Sequence, residues 1–410
     1  MKTAAIPLTH SINIFLVMKK KYVIYFIIFF GIASGCSSNK QEDSLPCIDI
    51  TKSYPDKEIV LTDIADVTYL CLNSKNDEYL YKGVIHCVTK NTIVIMDNLS
   101  GKILFFGKDG NPKSQFNRKG SGPEEYVSST RVIYDEENDD VFVYSFSLDV
   151  KVYSSTGEYK RKIIFPEEAI PNPIVPFDDE SLFLYDASIQ FVPDRKREVT
   201  EETDYPTKYY KSPFVRISKT DGKVLEYVEL PINSIELKKG DNPLIRTYRI
   251  VICGKGLLLC NPETDTVFLY GKDYSLTPLI CKTPLVKDLD PMFIMNNCMD
   301  YGGYQFIEIV REFSKQTYPI TFPTKYLIRD KKTDEVFRQK IILPDYNGKE
   351  FFISTGASGR YYEDGTYFDL DLVELKQALN ENRLNGKLKE LVNTLDEEKD
   401  NNVFMFVHFK

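Results

Sequence analysis

From residue 59 to 370 the chain alternates short apolar runs with polar, glycine-marked turns. The runs are four to six residues long and rich in Val, Ile, Phe and Tyr, the signature of β-strands separated by tight connections. Helical periodicity is almost absent until 371–395. There Leu372, Leu375, Leu379, Leu384, Leu388, Leu391 and Leu395 recur at mostly three- and four-residue intervals and predict one helix. A charged turn over 396–402 then leads into a last apolar strand, 403–409.

The runs repeat. Ile93 to Asp97, then Lys102 to Phe106 and Asp109-Gly110, align with Val141 to Ser145, Val150 to Tyr153 and Thr156-Gly157 at an offset of 47 residues. Leu257 to Asn261 with Thr266 to Tyr270 and Lys272-Asp273 is a further copy. Fainter copies lie at 214–222 and 326–334. A repeat of about 40–50 residues holding about four short strands is the size of a propeller blade. One such sheet cannot bury its faces alone, so several must stack around an axis. The span 59–370 holds six units, one with a long insertion. The fold expected is therefore all-β, a six-bladed β-propeller of four-stranded antiparallel blades over 51–410. An open ring would leave unpaired sheet edges, so 403–409 is expected to pair with 66–72, with the helix of about 371–395 packed outside.

The best-formed unit starts at Gly120-Ser-Gly-Pro-Glu-Glu-Tyr126 and runs through Asp135, Val141–Tyr144 and Val150–Tyr153 to Gly157. It resembles an NHL-type repeat, and more closely the six-bladed β-propeller lipoproteins of Bacteroides and its relatives. Those carry Gly-x-Gly-Pro-Gly-Glu-Tyr, so Glu124 departs from the pattern and predicts a looser loop. The stretch 54–70 also resembles the start of that family. The resemblance covers most of the mature chain; it implies fold and cellular address, because members mostly lack an assigned activity.

The address is written at the N-terminus. Lys19-Lys-Lys21 is a charged leader and 22–33 an apolar run of 12 residues, too short for the roughly 20 that a membrane-spanning helix needs. Residues 1–35 are thus read as a signal peptide, with Met18 the plausible start. Ala33-Ser-Gly-Cys36 resembles the bacterial lipobox, which implies diacylglycerol on Cys36 and an outer-membrane lipoprotein, periplasmic or surface-exposed. The polar, acidic 36–50 is read as the lipidated tether.

Without 1–35 the chain has 48 basic and 60 acidic residues, net −12, which argues against a nucleic-acid partner. Besides Cys36, cysteines stand singly at 47, 71, 87, 253, 260, 281 and 298. No C-x-x-C pair occurs, so no zinc site is indicated, and Cys71, Cys87, Cys260 and Cys281 are read as small buried hydrophobes. His86 and His408 lie in strand patterns and are read as structural. No catalytic residue, metal ligand or cofactor is assigned. The acid pairs Asp139-Asp140 and Asp178-Asp179 are read as solvated hairpin turns.

The candidate for ligand binding is the blade-three insertion 187–212, with Arg195, Arg197, Tyr205, Tyr209 and Tyr210, since loops beyond about 12–15 residues are often functional or disordered. Asn297 to Tyr304 is a second candidate. Two functions remain open: a non-catalytic scaffold for an outer-membrane protein, glycan or peptide, or a propeller enzyme (hydrolase, lactonase or lyase) with an axial site. The missing catalytic constellation favours the first.

Overall fold

The computed structural model describes residues 45–127, 131–145, 149–165, 169–187, 212–231, 249–261, 264–289, 293–311, 324–354, 361–362 and 365–410. Residues 1–44, which include the expected signal peptide and Cys36, lie outside these. The chain first lays down three strands, β1 (Cys47–Asp49), β2 (Asp56–Val60) and β3 (Ala65–Cys71), with the single helical turn α1 (Leu61–Ile64) before β3. Blade one follows as β4 (Gly83–Val88), β5 (Thr92–Asp97), β6 (Ile103–Gly107) and β7 (Pro112–Phe116). Blade two is β8 (Arg131–Asp135), β9 (Asp140–Tyr144), β10 (Asp149–Tyr153) and β11 (Tyr159–Ile164). Blade three is β12 (Pro171–Pro176), β13 (Ser181–Asp186), β14 (Phe214–Ser218) and β15 (Val224–Tyr227). Blade four is β16 (Ile250–Cys253), β17 (Gly256–Leu259), β18 (Thr266–Gly271) and β19 (Leu276–Thr283). Blade five is β20 (Phe293–Tyr301), β21 (Tyr304–Arg311), β22 (Thr324–Asp330) and β23 (Val336–Ile342). Here β24 (Glu350–Phe351) returns to pair antiparallel with β23. Blade six is β25 (Tyr361–Tyr362), β26 (Gly365–Leu370), β27 (Val403–Phe409) and, from the other end of the chain, β3.

The expected closure is present. β27 pairs antiparallel with β3 over seven positions, from Val403↔Cys71 to Phe409↔Ala65. The aligned runs fall where the repeat put them: β5, β9 and β17 are all second strands, and β6, β10 and β18 all third strands. These middle strands read as continuous apolar runs because adjoining blades cover both their faces. Every residue of β5, β6, β9 and β13 is buried. The peripheral β7 and β11 alternate between covered and exposed positions.

The N-terminal segment does more than close the ring. β1 adds in parallel to the outer edge of β19, and β2 adds in parallel to the outer edge of β23. An exposed edge is a row of unpaired backbone groups, hazardous in proportion to its length. The two edges covered in this way are eight and seven residues long. Of the edges left open, that of β3 has seven residues, and those of β7, β11 and β15 have five, six and four. The last three are guarded by Pro112, by Lys160-Arg161-Lys162 and by the shortness of β15. β2 is held by a ladder of ion pairs, Asp56–Arg338 at 2.7 Å, Lys57–Glu335 at 2.5 Å and Glu58–Lys340 at 3.2 Å. β1 is fastened by a disulfide, Cys47–Cys281. Two expectations are corrected here. The tether read as 36–50 ends earlier, because Cys47–Asp49 is a strand of blade four, and Cys281 is a cross-link rather than a small hydrophobe. Cys71, Cys87, Cys253, Cys260 and Cys298 are free thiols.

The predicted helix is two, α2 (Leu372–Asn380) and α3 (Gly386–Thr394). Asp371 caps the first through the Glu374 amide at 3.0 Å. Asn382 and Gly386 take positive φ (56° and 51°) and break the run. The break lets Leu384 bridge to Tyr346, and Asn347 donate to the Arg383 carbonyl at 2.8 Å. Leu375, Ala378, Leu388 and Val392 are buried in the cluster that also holds Tyr346, Met405 and Val407.

The Gly120–Tyr126 loop is a joint between blades one and two. The Tyr126 side chain is fully buried; its hydroxyl donates to the Gly101 carbonyl at 2.6 Å and accepts from the Arg118 amide at 3.2 Å. The Tyr153 hydroxyl donates to the Glu124 carbonyl at 2.7 Å. Glu125 folds back to accept from the Gly122 amide at 2.8 Å, so tightly that a Cβ on Gly120 would meet its Oε2 at 1.9 Å. Glu124 has an ordinary negative φ. A glycine is therefore not required there, and the loop is tight despite the departure from the family pattern.

Tyr126→Phe should lower the unfolding free energy by about 1–3 kcal/mol, because the Gly101 carbonyl and Arg118 amide lose a buried partner. Urea titration checks this, and an unchanged midpoint would contradict the joint. Cys47→Ser with Cys281→Ser removes a cross-link spanning 234 residues, and chain entropy then predicts a loss of up to about 5 kcal/mol. The measurement is urea unfolding of the double variant against the oxidised parent.

Candidate functional site: a charged crevice between blades two and three

The two ends of the ring differ. One carries the turns joining first to second and third to fourth strands, all short. The other carries the second-to-third and fourth-to-first connections, including the insertion that leaves at Ala187 and returns at Ser212. Arg195, Arg197, Tyr205, Tyr209 and Tyr210 lie outside the described residues, so the structure brings none of them to a site. The second candidate, Asn297 to Tyr304, is strand and turn. A Cβ on Gly302 (φ 51°) would meet the Lys410 carbonyl at 2.2 Å, and Tyr301 stacks on Phe409 with ring centres 4.8 Å apart. These residues shape the closure of the ring.

At the short-turn end a crevice of about 670 Å³ opens between blades two and three. The β8–β9 turn supplies Asp135, Asn138 and Asp140, and β11 supplies Lys160 and Arg161. Across the boundary stand Asp179 and Glu180 of the β12–β13 turn and Ser218, Lys219 and Thr220 of the β14–β15 turn, with Leu225 beside them.

Its charges are organised in pairs. Asp140 is buried and holds Lys160 at 2.8 Å and Arg161 at 2.6 Å. Asp135 reaches across the blade boundary to Lys219 at 2.7 Å, while Arg161 Nη2 donates to the Lys219 carbonyl at 3.1 Å. The guanidinium also lies over the Phe142 ring, 5.7 Å from its centre. Lys160 divides its ammonium among Asp140 and the carbonyls of Asn138 (3.1 Å) and Asp139 (2.7 Å). Burial alone would raise the Asp140 carboxyl, but hydrogen bonds from Arg161 and Lys160 hold it below the ordinary range. Asp135 behaves likewise: burial pushes up, and bonds from Lys219 and Asn138 bring it down. The next residue, Glu136, turns the other way and accepts from Thr89, Asn91 and Thr92 of blade one. One turn of blade two thus clamps both neighbours.

Of the acid pairs read as solvated turns, both lie at hairpin turns and Asp179 is exposed, but Asp140 and Asp178 are corrected by this arrangement. Asp140 is buried and doubly ion-paired. Asp178 is half-buried and accepts from the Glu180 amide (3.0 Å), Ser181 Oγ (2.6 Å) and the Tyr274 hydroxyl (3.2 Å). Asp179 and Glu180 are exposed. The signal that could have pointed here was Asp139-Asp140 followed by Lys160-Arg161 in one blade, with a lysine-bearing turn in the next. His86, read as structural, is so: its Nδ1 accepts from the Val132 amide at 3.0 Å, joining the first strands of blades one and two. Burial lowers its pKa to about 3. His408 is exposed.

The model of a family described as a 6-bladed beta-propeller, DUF5128, matches residues 37–213. A Bacteroides fragilis NCTC 9343 crystal structure, of a protein provisionally named as exported, superposes with a TM-score of 0.57 at 18% identity, covering 87% of this chain and 98% of its own. A member of the duf4221 family from Bacteroides vulgatus ATCC 8482 matches at TM-score 0.47 and 14% identity, over 85% and 97% of the two chains. A comparison with curated proteins finds no match. At 18% identity the B. fragilis likeness shows the fold alone, and the family description names that fold, a six-bladed β-propeller.

Two outcomes test the electrostatics. An imidazole held neutral in the fold favours folding fully above its unfolded pKa of about 6.5, and that contribution is lost as pH falls toward 3. Stability should therefore drop between pH 6.5 and 4, with His86 contributing a slope of up to about 1.4 kcal/mol per pH unit. His86→Asn, which keeps an acceptor for Val132, should flatten it in urea titrations across that range. Lys219→Met should destabilise by about 1–3 kcal/mol in urea titration, since Asp135 loses its cation and keeps only the bonds from Asn138. Asp135→Asn in the same chain should restore part of the loss.

Proposed function

We propose that the protein is a cell-envelope lipoprotein of the outer membrane, anchored through Cys36, whose NHL-like ring binds a ligand or partner protein without catalysing a reaction. The observation that carries the non-catalytic part is how the crevice commits its charges. A general acid or base works best with a pKa near the working pH. Asp135 and Asp140 are shifted away from that range and are tied to ring cations. His86, far below neutrality and bonded to a backbone amide, is no better placed. Among the described residues, no group of three or more His, Cys, Asp and Glu is placed to hold a metal ion.

The address has separate support. A disulfide such as Cys47–Cys281 persists in oxidising compartments outside the cytoplasm, and the superposed B. fragilis protein is itself named as exported. No helix among the described residues is long and apolar enough to cross a membrane. Attachment is assigned to acyl chains on Cys36, the cysteine of the lipobox-like Ala33-Ser-Gly-Cys36.

Metabolic labelling with radioactive palmitate should mark the parent chain and leave Cys36→Ala unlabelled and released from the membrane fraction. Label retained by the variant would rule out this anchor.

A further inference from the structure

We infer that the boundary between blades three and four carries a docking platform for an arginine-bearing segment of a partner protein, centred on the Tyr274 ring; the inference rests on the non-catalytic binding reading above. The repeat itself singles the residue out. The turn from third to fourth strand reads Gly107-Lys-Asp-Gly-Asn111 in blade one and Gly271-Lys-Asp-Tyr-Ser275 in blade four. Both are closed alike: the Gly107 and Gly271 amides donate to the Asn111 and Ser275 carbonyls, each at 2.8 Å. The fourth residue is left-handed in both, Gly110 at φ 83° and Tyr274 at φ 65°. Blades two and three also place a glycine at this point of the turn, Gly157 and Gly222, with φ 86° and 76°. A bulky side chain is an outlier at such a φ. Glycine would make the turn without strain, so turn geometry does not account for the tyrosine.

The ring is presented outward and held still. Half of the side chain is exposed. The Arg216 guanidinium lies over one face, 4.6 Å from the ring centre, and the hydroxyl donates to Asp178 at 3.2 Å. Phe177 and Tyr270 brace the ring at 59° and 62°, with centres 5.9 and 6.5 Å away. The face opposite Arg216 is thus left to solvent. The charge around it is negative. In the turns and strands that meet here, Asp178, Asp179, Glu180, Glu226 and Asp273 stand against Arg216, Lys255 and Lys272, and Arg216 is already paired with Glu226 at 3.3 Å. Asp178 and, more weakly, Glu180 push the Tyr274 hydroxyl pKa up. An incoming cation therefore meets an aromatic face and an acidic rim together. A guanidinium is flat enough to stack on the ring while its fork bonds a carboxylate, which an ammonium cannot do. Tyr274 stands on an exposed turn and does not line the neighbouring crevice. Small molecules favour concave sites, whereas a braced tyrosine meeting an arginine is characteristic of contacts between proteins.

The test is a peptide array in which one central residue is arginine, lysine, citrulline or glutamate within otherwise identical neutral frames. It is probed with the intact mature chain, and the best binder is then titrated by fluorescence anisotropy. Arginine peptides should bind best, and citrulline, which keeps the shape and loses the charge, should not replace arginine. Tyr274→Gly restores the residue of blade one and should weaken binding about fivefold or more, with a melting temperature within a few degrees of the parent. Asp179→Asn/Glu180→Gln should weaken it by a similar factor. Binding in no class, preference for another class, or undiminished affinity in either variant would overturn the inference. So would a Tyr274→Gly chain that melts far below the parent, because the ring would then be a packing residue. Cleavage of a bound arginine peptide would overturn the non-catalytic reading and leave the platform standing. Silence on the array, with every peptide recovered intact, would do the reverse.

Discussion

Everything in this fold depends on one pairing, β3 with β27. It joins Ala65–Cys71 to Val403–Phe409, so the ring exists only when the two ends of the propeller meet. Such closure is costly in chain entropy, although the cost grows only slowly with loop length. The structure offsets it with an apolar seam in which Val403, Phe404, Met405 and Val407 are buried. It then extends the same N-terminal segment backwards along the edges of blades five and four. The belt and the closure are one device, since the residues that complete blade six are continuous with those that cover the outer edges of blades four and five.

The blade boundaries are held differently. Between blades one and two the joints are Tyr126 on Gly101, His86 on Val132, and Glu136 on the Thr89–Thr92 turn. Between two and three the joint is Asp135 on Lys219. Buried ion pairs of this kind contribute little net stability but are expensive to break singly, so they fix how one blade sits against the next. The crevice is the space those pairs leave. Its walls are positioned by architecture.

The middle strands were legible because burial on both faces turns them into unbroken apolar runs, as in Ile93-Val-Ile-Met96 and Val141-Phe-Val-Tyr144. The closing strand was legible for the same reason. The belt was not: β2 reads Asp-Lys-Glu-Ile-Val, polar enough for a tether, and is held by ion pairs to β23 that no local pattern announces. Cys47 and Cys281, 234 residues apart, gave no spacing to read. The helix break was hidden because the leucine periodicity runs through it, and only the contact of Leu384 with Tyr346 shows why the chain turns. The crevice was missed because its residues come from four separate segments, each an ordinary turn or outer strand when taken alone. The residues picked for ligand binding, 195–210, lie outside the described chain, on a connection leaving the opposite end of blade three.

The central claim is that the N-terminal segment is an integral part of the ring. Native-state hydrogen exchange over residues 47–71 and 403–409 measures this most directly. The amides of β3 and β27 should exchange only through global unfolding, as slowly as those of β9 and β10, and β1 should lose protection when the disulfide is reduced. Fast exchange of β3 with β27 still protected would contradict the account.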